Sequence, residues 1–189
     1  MHPHIPRSRT PSSVLALALC IGACADAEPT VPAATAAVHA SAGQSMAIGS
    51  DVAHQVAQLR ALTAPFHRFE AAAEAGWSTQ ITECFEDPEL GGMGYHYGNT
   101  ALIDGHVDVL EPELLLYEPQ KNGRLRLVGV EYIVPFDLWT DAEPPSLYGL
   151  PFHRNEAFGL WVLHVWHYQH NPAGMFMDWN PTISCRYAG

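Results

Sequence analysis

Four side chains able to do chemistry sit among apolar neighbours. They are His96 in Tyr95-His96-Tyr97, Glu131 in Gly129-Val130-Glu131-Tyr132-Ile133, His153 in Phe152-His153-Arg154, and His164 in Leu163-His164-Val165-Trp166. Imidazoles with one carboxylate are the ligand set of zinc, copper, iron and manganese sites, and three such ligands leave positions open for a small molecule. His96, Glu131, His164 and His153 are therefore the candidate metal ligands. Without a metal, Glu131 and His164 form a base and acid pair whose pKa values burial pushes toward neutrality. Those two are the candidate catalytic residues. The competing reading makes each a core residue with its own partner, His164 on a backbone carbonyl and Glu131 on Tyr or Trp donors. The chain has no nucleophile elbow, phosphate loop, HExxH pair or dinucleotide fingerprint. The fold must therefore assemble any site.

The run His164-Val165-Trp166-His167-Tyr168-Gln169-His170 is less of a chelating motif than it looks. Its β-branched and aromatic composition reads as a strand. On a strand His164 and His167 face opposite ways, and His164 and His170 lie about 20 Å apart. Only His164 is retained. Both faces of this strand are apolar, which places it inside a covered sheet with His164 in a dry interior.

Glu131 is placed by a hairpin over 113–134. Asn122-Gly123 between two apolar runs predicts a two-residue type I′ turn. Counting outward pairs Lys121 with Arg124 and Leu114 with Glu131. Leu114, Leu116, Glu118, Leu125, Leu127, Glu131 and Ile133 then share one face, with Val128 and Val130 on the other. Glu131 sits among aliphatics, where a lone carboxylate is costly unless paired, protonated or metal-bound, and Glu118 lies nearer the exposed turn.

Ahead of the hairpin, Ser50 is positioned to cap a helix with Val52, Val56 and Leu59 on one face. Thr63-Ala64-Pro65 opens a second helix, closed at Gly76. Alternation from Trp77 predicts a strand ending at Cys84, and 85–94 read as a loop whose Gly91, Gly92 and Gly94 allow a close backbone approach or a bend. Residues 135–157 form a proline-rich excursion with Phe136, Trp139, Leu147, Tyr148 and Phe152, too many large apolar groups for a solvated linker, and read as a lid.

Residues 1–23 read as a signal peptide, with Arg7 and Arg9 before a short apolar run from Val14 to Ile21. Ile21-Gly22-Ala23-Cys24 resembles the bacterial lipobox, so Cys24 is the expected lipidation site, with ordinary signal cleavage and free secretion as the alternative. Residues 24–48 are an Ala-, Pro- and Thr-rich tether and 49–189 a single domain. The expected location is the bacterial cell envelope, lipid-anchored, or the periplasm, with the membrane engaged only through the lipid. Cys84 and Cys185 are then the two cysteines left to form a disulfide. Of nine Lys and Arg, Arg7 and Arg9 precede Cys24, leaving seven against twenty Asp and Glu. That balance excludes a nucleic-acid groove.

The blocks Gly91-Gly92-Met93-Gly94-Tyr95-His96-Tyr97-Gly98-Asn99, Pro112 to Pro135 and Leu163 to Pro181 resemble those of a family of uncharacterised exported bacterial proteins. In that family similar blocks follow a helix ending in Ala-Gly-aromatic, here Ala75-Gly76-Trp77, and a downstream cysteine. The resemblance implies one exported domain with His96, Glu131 and His164 at matching positions, and no named activity.

Together these readings give an α+β fold, two N-terminal helices packed on a curved, mostly antiparallel sheet that encloses a pocket closed by 135–157. The expected function is that of an exported small-molecule pocket protein, a metal-dependent or acid/base enzyme using interior His and Glu. A non-catalytic ligand-binding lipoprotein and a structural envelope protein are the alternatives.

Overall fold

The computed structural model describes residues 49–189, so the signal peptide, Cys24 and the whole of the tether lie outside the described residues. The fold is α+β: a curled six-stranded antiparallel sheet with short helices, plus a separate two-stranded ribbon. Helix α1 covers 49–63 and runs into a 3-10 turn, Ala64–His67, and a short helix α2, Phe69–Glu74. Strands follow as β1 (Thr79–Asp87), β2 (Gly91–Gly98), β3 (Leu114–Pro119), β4 (Leu125–Pro135), β5 (Ser146–Leu147), β6 (Leu150–Pro151), β7 (His153–Asn155) and β8 (Leu160–Val165). The large sheet runs β1-β2-β3-β4-β8-β7, and β5 pairs only with β6. No helix among the described residues is long and apolar enough to cross a membrane.

Val56 and Leu59 of α1 are buried as their spacing requires. Residues 49 and 50 are already helical, so Ser50 lies inside the helix instead of capping it. The second helix is broken at Arg68, whose extended backbone (φ −95°, ψ 112°) separates the 3-10 turn from α2. The break lets Phe66 and Ala72 enter one cluster with Leu115, Tyr117, Leu127, Val130, Tyr132, Val134, Leu163 and Val165. This is the main core, on the helix-covered face of the sheet.

The hairpin differs from its expectation in a way that cancels. The amide of Gly123 bonds Gln120 O and that of Gln120 bonds Arg124 O, leaving a three-residue loop with Gly123 left-handed (φ 76°). The register runs Pro119↔Leu125, Glu118↔Arg126 and Tyr117↔Leu127, then shifts to Leu116↔Gly129 and Leu114↔Glu131. Val128 is the extra residue of a β-bulge. The turn uses one residue more than a type I′ turn, and the bulge absorbs it. Leu114 and Glu131 therefore pair as counted, but Leu125 and Leu127 turn to the helix side and Val128 to the face of Leu116. Glu118 is buried too, held by Arg126 and accepting from the amide of Ser184.

The expected loop at 85–94 is only a three-residue turn. β1 runs past Cys84 to Asp87, whose carboxylate accepts the amides of Glu89 and Leu90. The glycines serve a close approach: a Cβ on Gly91 would lie 2.4 Å from Asn180 O, and one on Gly92 2.8 Å from Ile183 O. The C-terminal segment docks there, with Gly92 bridged to Asn180 and a disulfide joining Cys84 to Cys185, Cα atoms 5.7 Å apart. The 135–157 segment also corrects its expectation. Tyr148 and Phe152 pack beside Tyr132 in the main core, so it covers mainly the helix side and gives the pocket of His164 only Asn155.

A candidate metal centre on the opposite face

Away from the helices the sheet carries Thr82, His96, Leu114, Leu116, Glu131, Ile133, Val162 and His164, a set fixed by the registers Thr82↔His96, His96↔Leu116, Leu114↔Glu131 and Glu131↔His164. Glu131 and His164 are direct cross-strand partners, while His96 reaches them across β3. Register shifts between β1 and β2 mark bulges, which sharpen strand twist and curl. The curl brings Phe85 of β1 within 6.4 Å, ring to ring, of Phe158 before β8. A cavity of about 70 Å³ lies between them, with His96, Glu131 and His164 in its wall.

Glu131 Oε2 stands 3.3 Å from His96 Nε2 and 3.8 Å from His164 Nε2. All three ligand atoms lie within 4.8 Å of one another, and all three residues are buried. Donors of one tetrahedral ion with bonds of about 2.0–2.2 Å lie about 3.3–3.6 Å apart, so this group can hold a metal ion. The two ring Nδ1 atoms face outward from the group: that of His96 is hydrogen-bonded with Thr82 Oγ1 at 2.8 Å, and that of His164 is 3.2 Å from Asp178 Oδ1. Partners at Nδ1 orient both rings so that both Nε2 atoms converge.

His164 is the anomaly. Neither of its buried ring nitrogens makes a hydrogen bond of acceptable geometry among the described residues, although two carboxylates stand at ion-pair distance. Burial pushes its pKa down, but Glu131 and Asp178 outweigh this and hold it above the usual value. His96 goes the other way: burial first, then the neighbouring His164, lowers it to about 3 against a smaller opposing bond with the Gly94 backbone. His96 is thus neutral, the form that binds a metal. Burial raises Glu131, with His164 countering and Asp178 adding to the rise.

Of the sequence-predicted residues, His96, Glu131 and His164 come together and His153 does not join them. His153 lies on edge strand β7, half exposed, with Nε2 3.0 Å from Asp178 Oδ2. It reaches the centre only through Asp178. His170 is exposed, and His167 is buried on the helix side, away from the site.

Sequence reasoning missed Asp178 and Thr82. Asp178 is held by a chain reversal: the Trp166 amide bonds Met175 O, its indole Nε1 bonds Met177 O at 2.5 Å, and Asn171 Nδ2 bonds Trp179 O. One signal was available, since Asp178 is the single carboxylate after Glu156, set between Met177 and Trp179. Comparison with known proteins adds no family to this geometry: no protein-family model matches the chain, and neither a curated protein nor a solved structure is significantly similar to it.

Proposed function

We propose that this is an exported pocket protein in which His96, Glu131 and His164 hold one divalent transition-metal ion, zinc or iron(II) foremost, and that it acts as a metal-dependent enzyme on a small molecule. The observation that carries the reading is His164, a buried imidazole whose Nδ1 stands beside Asp178 and whose Nε2 makes no hydrogen bond but turns toward the carboxylate oxygen that also faces His96. An ion at that point satisfies both imidazoles and the carboxylate at once, where burial alone leaves each costly. Two imidazoles and one carboxylate suit a catalytic zinc or a non-haem iron(II), and the ion supplies a Lewis acid with open positions. The chain's own residues do the rest. Thr82 and Asp178 hold the two rings, His153 holds Asp178, and the apolar wall excludes water.

Export is part of the proposal, supported by the Arg7 to Cys24 segment and the Cys84–Cys185 bridge, a bond that persists in oxidising compartments. Intact-mass measurement of membrane-extracted protein is expected to find Cys24 as the lipid-bearing first residue, and an unmodified N-terminus beyond it would remove the anchor. The test of the centre is elemental analysis of protein purified without chelators. The wild type is expected to hold about one equivalent of metal. Glu131→Gln and His164→Ala are expected to hold almost none, with unchanged circular dichroism. Wild-type protein that takes up no added zinc, iron, copper or manganese overturns the proposal, as do folded variants that keep full metal content.

A further inference from the structure

The cavity wall says what the site receives. Beyond the ligand cluster and its partners Thr82 and Asp178, it is hydrocarbon except for Asn155: Ile81, Phe85, Leu114, Ile133, Phe158 and Val162 supply most of it. Among the described residues no Lys or Arg lines it, so away from the ion itself nothing there pairs with a carboxylate or phosphate. The nearby Arg154 is exposed, bound to Glu156 by its Nε and lying over the rings of Phe136 and Trp161. Charge points the same way. Glu131 and Asp178 bring two negative charges to the wall, which balance one divalent ion and leave no surplus of either sign. A charged group held along the wall, out of reach of the ion, loses its hydration and gains no partner.

Size adds a second limit. At about 70 Å³ the cavity is small, with room for the end of a small molecule and not for a bulky one. Of the lining residues only Phe158 (57%) and Ile81 (42%) are exposed, with Phe158 6.4 Å ring to ring from Phe85, so the cavity reaches solvent on their side. A larger molecule can place only its end inside.

On the basis of the metal reading above, we propose that the substrate enters this cavity through an uncharged, short hydrocarbon portion whose single polar group meets the centre formed by His96, Glu131 and His164, and that Phe158 sets how long that portion can be. Substrates carrying an anionic or cationic group on that hydrocarbon portion, away from the ion, are excluded.

The experiment uses the full chain with metal content measured first by elemental analysis, so failure of the metal reading is seen before any ligand is added. Hydroxamic acids serve as probes, since their head group binds zinc and iron while the tail varies. Affinities of the metal-loaded protein are measured by calorimetry for acetyl, butanoyl and hexanoyl hydroxamates. Succinyl monohydroxamate supplies an anionic tail and β-alanine hydroxamate a cationic one. The butanoyl probe is expected to bind about tenfold or more tighter than either charged probe. Lengthening the tail should gain about fourfold for each methylene buried, then nothing once the cavity is filled. Phe158→Ala, at an exposed position that leaves the fold unloaded, is expected to move that plateau to longer tails without changing metal content. Metal-loaded protein that binds a charged tail as tightly as butanoyl overturns the proposal, as does affinity insensitive to tail length. A plateau that stays in place in Phe158→Ala removes the role of Phe158.

Discussion

His164 and His167 are three residues apart on one segment and equally hidden, 3% and 1% exposed, yet the two faces of the sheet treat them differently. His167, on the helix side, lies 3.0 Å from Thr63 Oγ1 by Nε2 and 3.2 Å from Val165 O by Nδ1. Both its nitrogens are satisfied by the protein itself, and burial lowers its pKa to about 4. His164, on the pocket side, stands between two carboxylates with no hydrogen bond of acceptable geometry on either nitrogen. Burial therefore does not by itself mark a functional histidine. What distinguishes the two is whether the fold completes the imidazole or leaves it open toward a point that other donors also face.

The strongest way to break this comparison is to loosen the pocket side as a whole. The helix side rests on its apolar cluster, whereas the segment carrying Asp178 is tied back by the Cys84–Cys185 bridge and by Glu86, which accepts from the Cys185 amide. Cys84→Ser with Cys185→Ser is expected to cost up to about 4–5 kcal/mol in chain-entropy terms for a loop of this length. Urea unfolding measures the cost. Hydrogen exchange should show β1 and 166–185 losing protection before α1 and β4. Uniform loss over both faces would mean that the two are one cooperative unit.

A second experiment sharpens the contrast at the residues themselves. If His164 and Glu131 are kept for a ligand, they are a burden to the metal-free fold. Replacing a buried polar pair by apolar residues of similar volume is often neutral or stabilising, by about 1–4 kcal/mol. Glu131→Leu with His164→Leu is thus expected to raise the metal-free denaturation midpoint while abolishing metal uptake. His167→Ala should do the reverse, costing about 1–3 kcal/mol with metal content unchanged, because it strips a satisfied group from the core. Loss of stability in the double-leucine protein would place His164 with His167, as a structural residue.

How far the site was legible follows from the same geometry. Glu131 facing His164 was legible because strand alternation and hairpin counting are local rules. The counting worked only because a three-residue loop and the Val128 bulge offset each other, and it failed for Leu125 and Leu127, which lie between the two. His96 was legible as an imidazole on a short strand, although its strand begins in what read as a glycine loop. There the docking of Asn180 and Ile183 overrides the flexibility that glycine suggests. Asp178 was not legible, because its place depends on Trp166 and Asn171 clasping a reversal at distances no local pattern encodes. The 135–157 segment was rightly read as too apolar for a linker. Which face it covers was decided by Tyr148 bonding Tyr132 at 2.9 Å, a contact between elements that periodicity cannot see.

The smallest expected effect is one of slope, and it extends the contrast to pH. His167 has its folded pKa lowered to about 4 from 6.5, so it binds fewer protons in the folded chain than in the unfolded one. Its contribution is fully present above 6.5 and is lost as pH falls toward 4. Glu113, just ahead of β3, behaves oppositely. Burial raises its carboxyl from 4.5 to about 8, against the opposing bonds from its own amide and from that of Ile133, which reaches Oε2 at 3.1 Å. The folded chain holds that proton where the unfolded chain has released it, so the contribution of Glu113 is full below 4.5 and is lost as pH rises through 8. Each such group changes stability by at most about 1.4 kcal/mol per pH unit inside its window. Glu113→Gln keeps an acceptor for the Ile133 amide and removes the titration. Urea unfolding at half-unit steps from pH 5 to 8.5 should therefore show a shallower alkaline decline in Glu113→Gln than in wild type. The acid decline, to which both His167 and His96 contribute, should be unchanged. An alkaline limb as steep in the variant as in the wild type would mean that Glu113 is ionised in the folded chain and that the decline arises elsewhere.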